Sequence, residues 1–170
     1  MPAPWVEKRF DFDELTAEDF PSLVDRLRVT PVRIENIVKD LPPECLTRRE
    51  GESWSLQEQV GHLLEVDALH EGRLDDYRAK VSVLRPADTE NKRTDAARYN
   101  DRKLEDVLAD FRRVRGRFVE RLDAWEPGQR LATAFHPRLQ KPMRVVDMLL
   151  FAVEHDAHHL ARMEELARGG

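Results

Sequence analysis

Residues 142–168 constrain the fold of this sequence most. Stepping about 100° per residue along a helix, Met148, Ala152, His159, Met163 and Leu166 all fall within about 80° of His155. The segment therefore reads as an amphipathic helix. It starts near Pro142, where proline suits a first turn, and stops at about Arg168, before Gly169-Gly170. Its apolar arc has to be covered by other elements, and His155 and His159 are covered with it. His158 falls with Asp147, Glu154, Arg162 and Glu165 on the opposite, charged side, where solvation is expected. Two imidazoles at i and i+4 are neighbours on one helix face and can share one ion. The same spacing also suits hydrogen-bonded core histidines or a polar stripe at an oligomer interface, so metal binding requires a further ligand.

The rest of the composition agrees with a helical class. In 170 residues, 41% hydrophobic and 36% charged, with few aromatics, there is room for one domain spanning 1–170, an all-α bundle with a charged exterior. The net charge of -5 and a pI near 5.7 supply no positive field to gather phosphates, which argues against a nucleic-acid partner. A single cysteine, Cys45, excludes an intrachain disulfide and reads as an incidental thiol. The first residues lack an apolar signal region, and the most apolar run, 145–153, is cut by Asp147. A cytoplasmic protein with no membrane partner is expected.

Three more helices follow from periodicity. Residues 1–18 read as an extended lead-in whose Trp5, Phe10 and Phe12 pack on the bundle. The first helix carries Leu23, Leu27, Ile34, Ile37 and Leu41 from Phe20 onward, with Pro31 expected to kink or interrupt it, and ends before Pro42-Pro43. The second starts at a capping box, Ser55 with Glu58, with Trp54 placed to pack over its first turn. Val60, Leu63, Val66, Leu74, Tyr77 and Val81 carry it to about Leu84. Arg85 to Asn100 is a polar connection long enough for a crossover. The third helix runs from Leu104 to Trp125 and presents Arg112, Arg113, Arg117 and Arg121 outward as a solvated face. Glu126 to Pro142 is a second irregular connection, containing Phe135-His136-Pro137, that suits a lid or partner contact.

Height along the bundle bears on the third ligand. His62 lies about 10 Å and His70 about 22 Å into the second helix, while His159 lies roughly 13 Å and His155 roughly 20 Å from the end of the last. If these two helices are antiparallel, His62 comes level with His159; if parallel, His70 comes level with His155. The long connection after the second helix favours the antiparallel arrangement and His62.

Trp54-Ser55-Leu56-Gln57-Glu58, Gly61-His62-Leu63 and Val153-Glu154-His155-Asp156-Ala157-His158-His159-Leu160, together with the proline-bearing first helix, resemble the DinB/YfiT-like metal-binding four-helix bundles. The resemblance covers most of the chain after about residue 15. It implies an up-down-down-up bundle with a long crossover between helices two and three, commonly a homodimer, and a metal held by His62, His155 and His159. Zinc is the expected divalent ion, with nickel, iron or manganese as other occupants. By resemblance the function is that of a metal-dependent transferase that activates a low-molecular-weight thiol cosubstrate for attack on a small electrophilic substrate. The alternatives are a hydrolase using metal-bound hydroxide and a non-catalytic stress-linked metal- or ligand-binding bundle. A related iron-dependent sulfoxide synthase carries a glutamate two residues after its last ligand; Ala161 stands there in this chain, which disfavours that activity. No general acid or base is assigned: Glu58, Glu65 and Asp156 lie near the ligands in sequence, but supporting or solvated roles suit them equally.

Overall fold

The computed structural model describes Trp5 and residues 8–169; residues 1–4, 6 and 7 of the expected lead-in lie outside the described residues. In chain order the elements are α1 (Phe20–Val38), α2 (Pro43–Thr47), α3 (Leu56–Arg78), α4 (Lys92–Ala96), α5 (Leu104–Asp123), strands β1 (Thr133–His136) and β2 (Lys141–Arg144), and α6 (Val145–Arg168). The four long helices form a bundle in which α1 and α3 each pack against both α5 and α6. Among the described residues no helix is long and apolar enough to cross a membrane.

Two apolar clusters fill the bundle. One joins Phe20, Leu23 and Leu27 of α1 to Leu74 and Tyr77 of α3, Phe118 and Leu122 of α5, and the first turns of α6. The other joins Ile34 and Val38 to Leu56, Val60 and Leu63, Val107 and Phe111, and Leu160, Met163 and Leu166. Truncating a buried aromatic such as Phe111 to alanine removes about 3–5 kcal/mol of this packing.

A charged node also ties the four helices together. Arg115 of α5 donates from Nε and Nη2 to Asp67 of α3 (2.7 and 2.9 Å), and from Nη1 and Nη2 to Asp156 of α6 (2.7 and 2.9 Å). Its remaining N–H reaches the Leu27 carbonyl of α1 at 2.8 Å. That last bond explains why α1 runs unbroken through Pro31, where an interruption is expected from sequence. Proline at 31 cannot donate to the carbonyl four residues earlier, which is Leu27, and Arg115 donates there instead. Thr30 adds a 2.6 Å hydrogen bond to Asp156.

The other departures from sequence expectation lie in the connections. Instead of continuing to Leu84, α3 stops at Arg78, where Lys80 adopts a left-handed conformation (φ 56°) and turns the chain. Leu84 N–H then donates to the Phe135 carbonyl and Phe135 N–H to the Ser82 carbonyl, both at 2.9 Å, so these apolar residues serve an extended segment beside β1. Residues 126–142 are less irregular than expected, because β1 and β2 pair antiparallel with Phe135 opposite Pro142. With Pro142 in a strand, α6 starts three residues later, where Asp147 caps the Arg144 N–H at 2.8 Å. The connection after α3 contains α4 and the Tyr99–Asp101 turn. Gln57 donates to the Tyr99 and Arg102 carbonyls (2.5 and 2.7 Å), and the Tyr99 ring lies against Gly61, where a Cβ would come within 2.2 Å of it. Glycine at 61 is what admits that ring.

Candidate metal centre

The capping box at Ser55 and Glu58 fixes the start of α3, and two turns later His62 points into the bundle. His155 and His159 lie one above the other on α6 and face it. The three rings are buried, with exposures of 8%, 5% and 6%. His155 Nε2 lies 3.3 Å from His62 Nε2 and 3.1 Å from His159 Nε2, and the facing nitrogens of all three lie within 4.8 Å of one another.

The outer nitrogens of two rings are engaged, and one of them fixes its tautomer. His159 Nδ1 lies 2.5 Å from Gln59 Oε1, an acceptor, so Nδ1 carries the proton and Nε2 a lone pair. His62 Nδ1 pairs with the Thr94 hydroxyl of α4 at 3.2 Å. The His159 lone pair therefore faces His155 Nε2 at 3.1 Å. Burial holds the His62 pKa down to about 4, against a small upward pull from Asp88 and with His158 adding to the fall. Burial and then the neighbouring imidazoles hold His155 and His159 well below the ordinary histidine value. At neutral pH all three rings are therefore neutral, and each keeps one lone pair that an ion can take.

A divalent ion fits this donor set. Nitrogens about 2.0–2.1 Å from a tetrahedral ion sit about 3.3–3.4 Å apart, close to the 3.3 and 3.1 Å that separate His155 Nε2 from the other two. Outer nitrogens engaged as these are by Gln59 and Thr94 are the arrangement that orients metal-ligating imidazoles. Three ligands leave a position open, and on that side lies a cavity of about 790 Å³. Trp54 walls it, its ring centre 4.6 Å from that of His62, and Trp5 sits edge-on to His155 at 5.0 Å.

The structure places the other sequence candidates apart from the three rings. His70 packs on Phe118 and Phe151 at ring-centre distances of 6.0 and 6.3 Å, outside the cluster. His158 is half-buried at the cavity rim rather than fully solvated, and burial, then Lys8, lowers its pKa. Asp156 is turned to Arg115 and Thr30, Glu58 to Arg49 and the cap, and Glu65 accepts from the Tyr99 hydroxyl at 2.7 Å. Sequence reasoning missed Gln59 and Thr94. Gln59 stands one turn before His62, a spacing that carries a signal, whereas Thr94 lies in a polar connection without periodicity.

A family model described as the DinB superfamily matches residues 26–163. Among solved structures, YfiT from Bacillus subtilis, described as a probable metal-dependent hydrolase with an unusual four-helix bundle topology, superposes with a TM-score of 0.83. The match has 19% identity and covers 95% of this chain and 93% of that one. At that identity the likeness speaks for the fold alone. No curated protein matches the chain.

Proposed function

The chain belongs to the DinB superfamily, and from that premise we propose that it is a metal-dependent transferase whose ion is held by His62, His155 and His159. The observation that carries the reading is the convergence of three buried imidazole nitrogens, the outer nitrogens of His62 and His159 engaged, at the wall of an open cavity. Zinc is the proposed ion; bound there, it would lower the pKa of a thiol or water presented to it and so supply a nucleophile near neutral pH. The chain's own residues do the rest. Gln59 and Thr94 hold the ring orientations, Trp5 and Trp54 shield the site from bulk water, and Asp156, engaged by Arg115, is withheld from acid–base work. A cavity walled by Trp5, Trp54, Leu69 and Phe151 suits an organic thiol and a small electrophile better than it suits water alone.

Hydrolysis is the second reading, favoured by the description of the structurally similar YfiT as a probable metal-dependent hydrolase. In both readings the bundle order is up-down-down-up, with the crossover between α3 and α5. Supporting this, the starts of α1 and α6 share one apolar cluster with the ends of α3 and α5.

Elemental mass spectrometry on tag-free protein tests the metal: near one ion per chain, lost in His62→Ala and His155→Ala and retained in His70→Ala, is the expected result. Thiol transfer to a chromogenic aryl halide should then stop on chelation. Transfer that persists without metal overturns the transferase mechanism, and ester hydrolysis without thiol transfer selects the second reading.

A further inference from the structure

The cavity over the three histidines continues along α3 to a second polar end, built from His70 and Arg73 of α3, His136 of β1 and Arg138 of the hairpin turn. The rise along α3 from His62 is about 12 Å to His70 and about 16 Å to Arg73, and long side chains on a helix lean back toward its start.

Arg73 is 1% exposed. Its Nε and Nη2 both donate to the Arg85 carbonyl (3.2 and 3.0 Å), which occupies one edge of the guanidinium fork. Among the described residues no carboxylate pairs with it; Asp76, three residues on, is engaged by Arg85. The Nη1–Nη2 edge meets only His136 Nε2, 3.1 Å from Nη1. That contact is itself unsatisfied. The Leu139 N–H donates to His136 Nδ1 at 3.1 Å, and a neutral imidazole whose Nδ1 accepts carries its proton on Nε2. Two N–H groups then face one another with no acceptor between them. Beside them His70 is 1% exposed, with neither ring nitrogen hydrogen-bonded, and Arg138 stands with its guanidinium carbon 5.5 Å from the Phe151 ring centre. Burial, and then the two arginines, keep His136 neutral, with a pKa down to about 4.

We propose that this inner end is a carboxylate subsite, in which a ligand carboxylate accepts from the free edge of Arg73, from His136 Nε2 and from His70, with Arg138 adding charge. Donors that converge on an empty acceptor position, beside a buried cation lacking a counter-ion, are the complement of a planar anion. The distance to the histidines selects an elongated molecule, reactive at one end and acidic at the other, about 10 Å long. The carboxylate's place rests on Arg73 and its neighbours alone; the placement of the reactive end rests on the metal reading above.

Two measurements separate these dependences. On metal-free protein, calorimetry should show heptanoate binding at least about tenfold tighter than heptanol, the weight of a charge-assisted hydrogen bond. On cobalt-substituted protein, 6-mercaptohexanoate should perturb the visible spectrum at lower concentration than 6-mercaptohexanol, and 3-mercaptopropionate, too short to span, should lose that advantage. Arg73→Met should abolish the preference for the acids and leave the alcohols unaffected. If that variant fails to fold, His70→Phe, which keeps the packing on Phe118 and Phe151, and Arg138→Gln should each reduce the preference. Equal binding of acids and alcohols, with both thiols still perturbing cobalt, overturns the subsite and leaves the metal site standing. Arg73-dependent heptanoate binding with a cobalt spectrum indifferent to every thiol supports the subsite and overturns the reading that a thiol binds the metal.

Discussion

Arg115 and Arg73 are both buried inside one bundle, at 2% and 1% exposure, yet they have opposite surroundings. Arg115 has all five N–H groups engaged by Asp67, Asp156 and the Leu27 carbonyl. Burial opposes its charge, but the two carboxylates more than offset this and raise its pKa. Arg73 has one carbonyl and a donor facing it, and burial lowers its pKa to about 10. The three histidines invert the Arg73 case: there neutral imidazole nitrogens meet with no cation between them. Burial therefore does not distinguish a structural polar group from a ligand-binding one; satisfaction does. The Arg115 node is complete without a ligand, whereas the two ends of the cavity each lack a partner, one a cation and the other an anion.

The comparison breaks most visibly at Arg115. Arg115→Met leaves Asp67 and Asp156 buried without their cation and the Leu27 carbonyl without a donor, and should cost about 3–5 kcal/mol in urea unfolding. His155→Ala in metal-free protein removes a neutral ring and leaves no buried charge unpaired, so it should cost far less than that, while lowering metal affinity more than about 100-fold. Equal losses of stability from the two variants would erase the distinction between node and site.

Acid sharpens it next. In the unfolded chain the His62 ring takes a proton near its ordinary value of about 6.5, but in the folded protein burial delays this to about 4. Across that window the unfolded state binds more protons, so stability rises with pH and is lost as pH falls, by roughly 3 kcal/mol at pH 4 for this ring. The node has the opposite sign. Burial, opposed by Arg115 and reinforced by the Asp156 charge, raises the Asp67 pKa, so its contribution is fullest in acid and is lost as pH rises through the raised value. Urea midpoints of metal-free protein should therefore fall from pH 7 to pH 4.5, less steeply in His62→Gln and more steeply in Asp67→Asn. A flat wild-type profile would mean that the imidazoles titrate normally and are not held neutral by the fold.

Gly61 separates packing from chemistry in the same helix. A methyl group there meets the Tyr99 ring at 2.2–2.4 Å, so Gly61→Ala should displace the Tyr99 turn and cost about 1–3 kcal/mol by overpacking. Since Thr94 lies in the same connection, metal affinity should fall as well. Unchanged stability would show that the connection is not clamped against α3.

What the sequence disclosed and what it hid divide along the same line. Periodicity located the four long helices, because each buries a continuous stripe, and the capping box marked the start of α3 directly. His155 and His159 were legible because a polar residue inside an apolar arc is conspicuous. Their pairing with His62 was legible only through helix height and the family resemblance. Arg115 was hidden among the arginines of α5, since its role depends on Pro31, a residue on another helix that leaves a carbonyl unpaired. Arg73 and His136 were hidden too. They meet through a hairpin and an extended segment, and pairing between distant strands leaves no period to read. The Pro142 start expected for α6 failed for the same reason.

Thr94→Val gives the smallest effect and the finest resolution. It keeps the side-chain shape and removes the hydroxyl that pairs with His62 Nδ1 at 3.2 Å. If the imidazole is held as a ligand, losing that outer partner frees its ring orientation, and metal affinity should fall about tenfold. The unpartnered ring nitrogen should cost folding only about 1 kcal/mol. Gln59→Leu repeats the test at His159. A metal affinity that falls with both variants while stability barely moves would place Gln59 and Thr94 with the ligand-demanding part of the core. A loss of stability without loss of affinity would place them with Arg115, as groups that complete the fold.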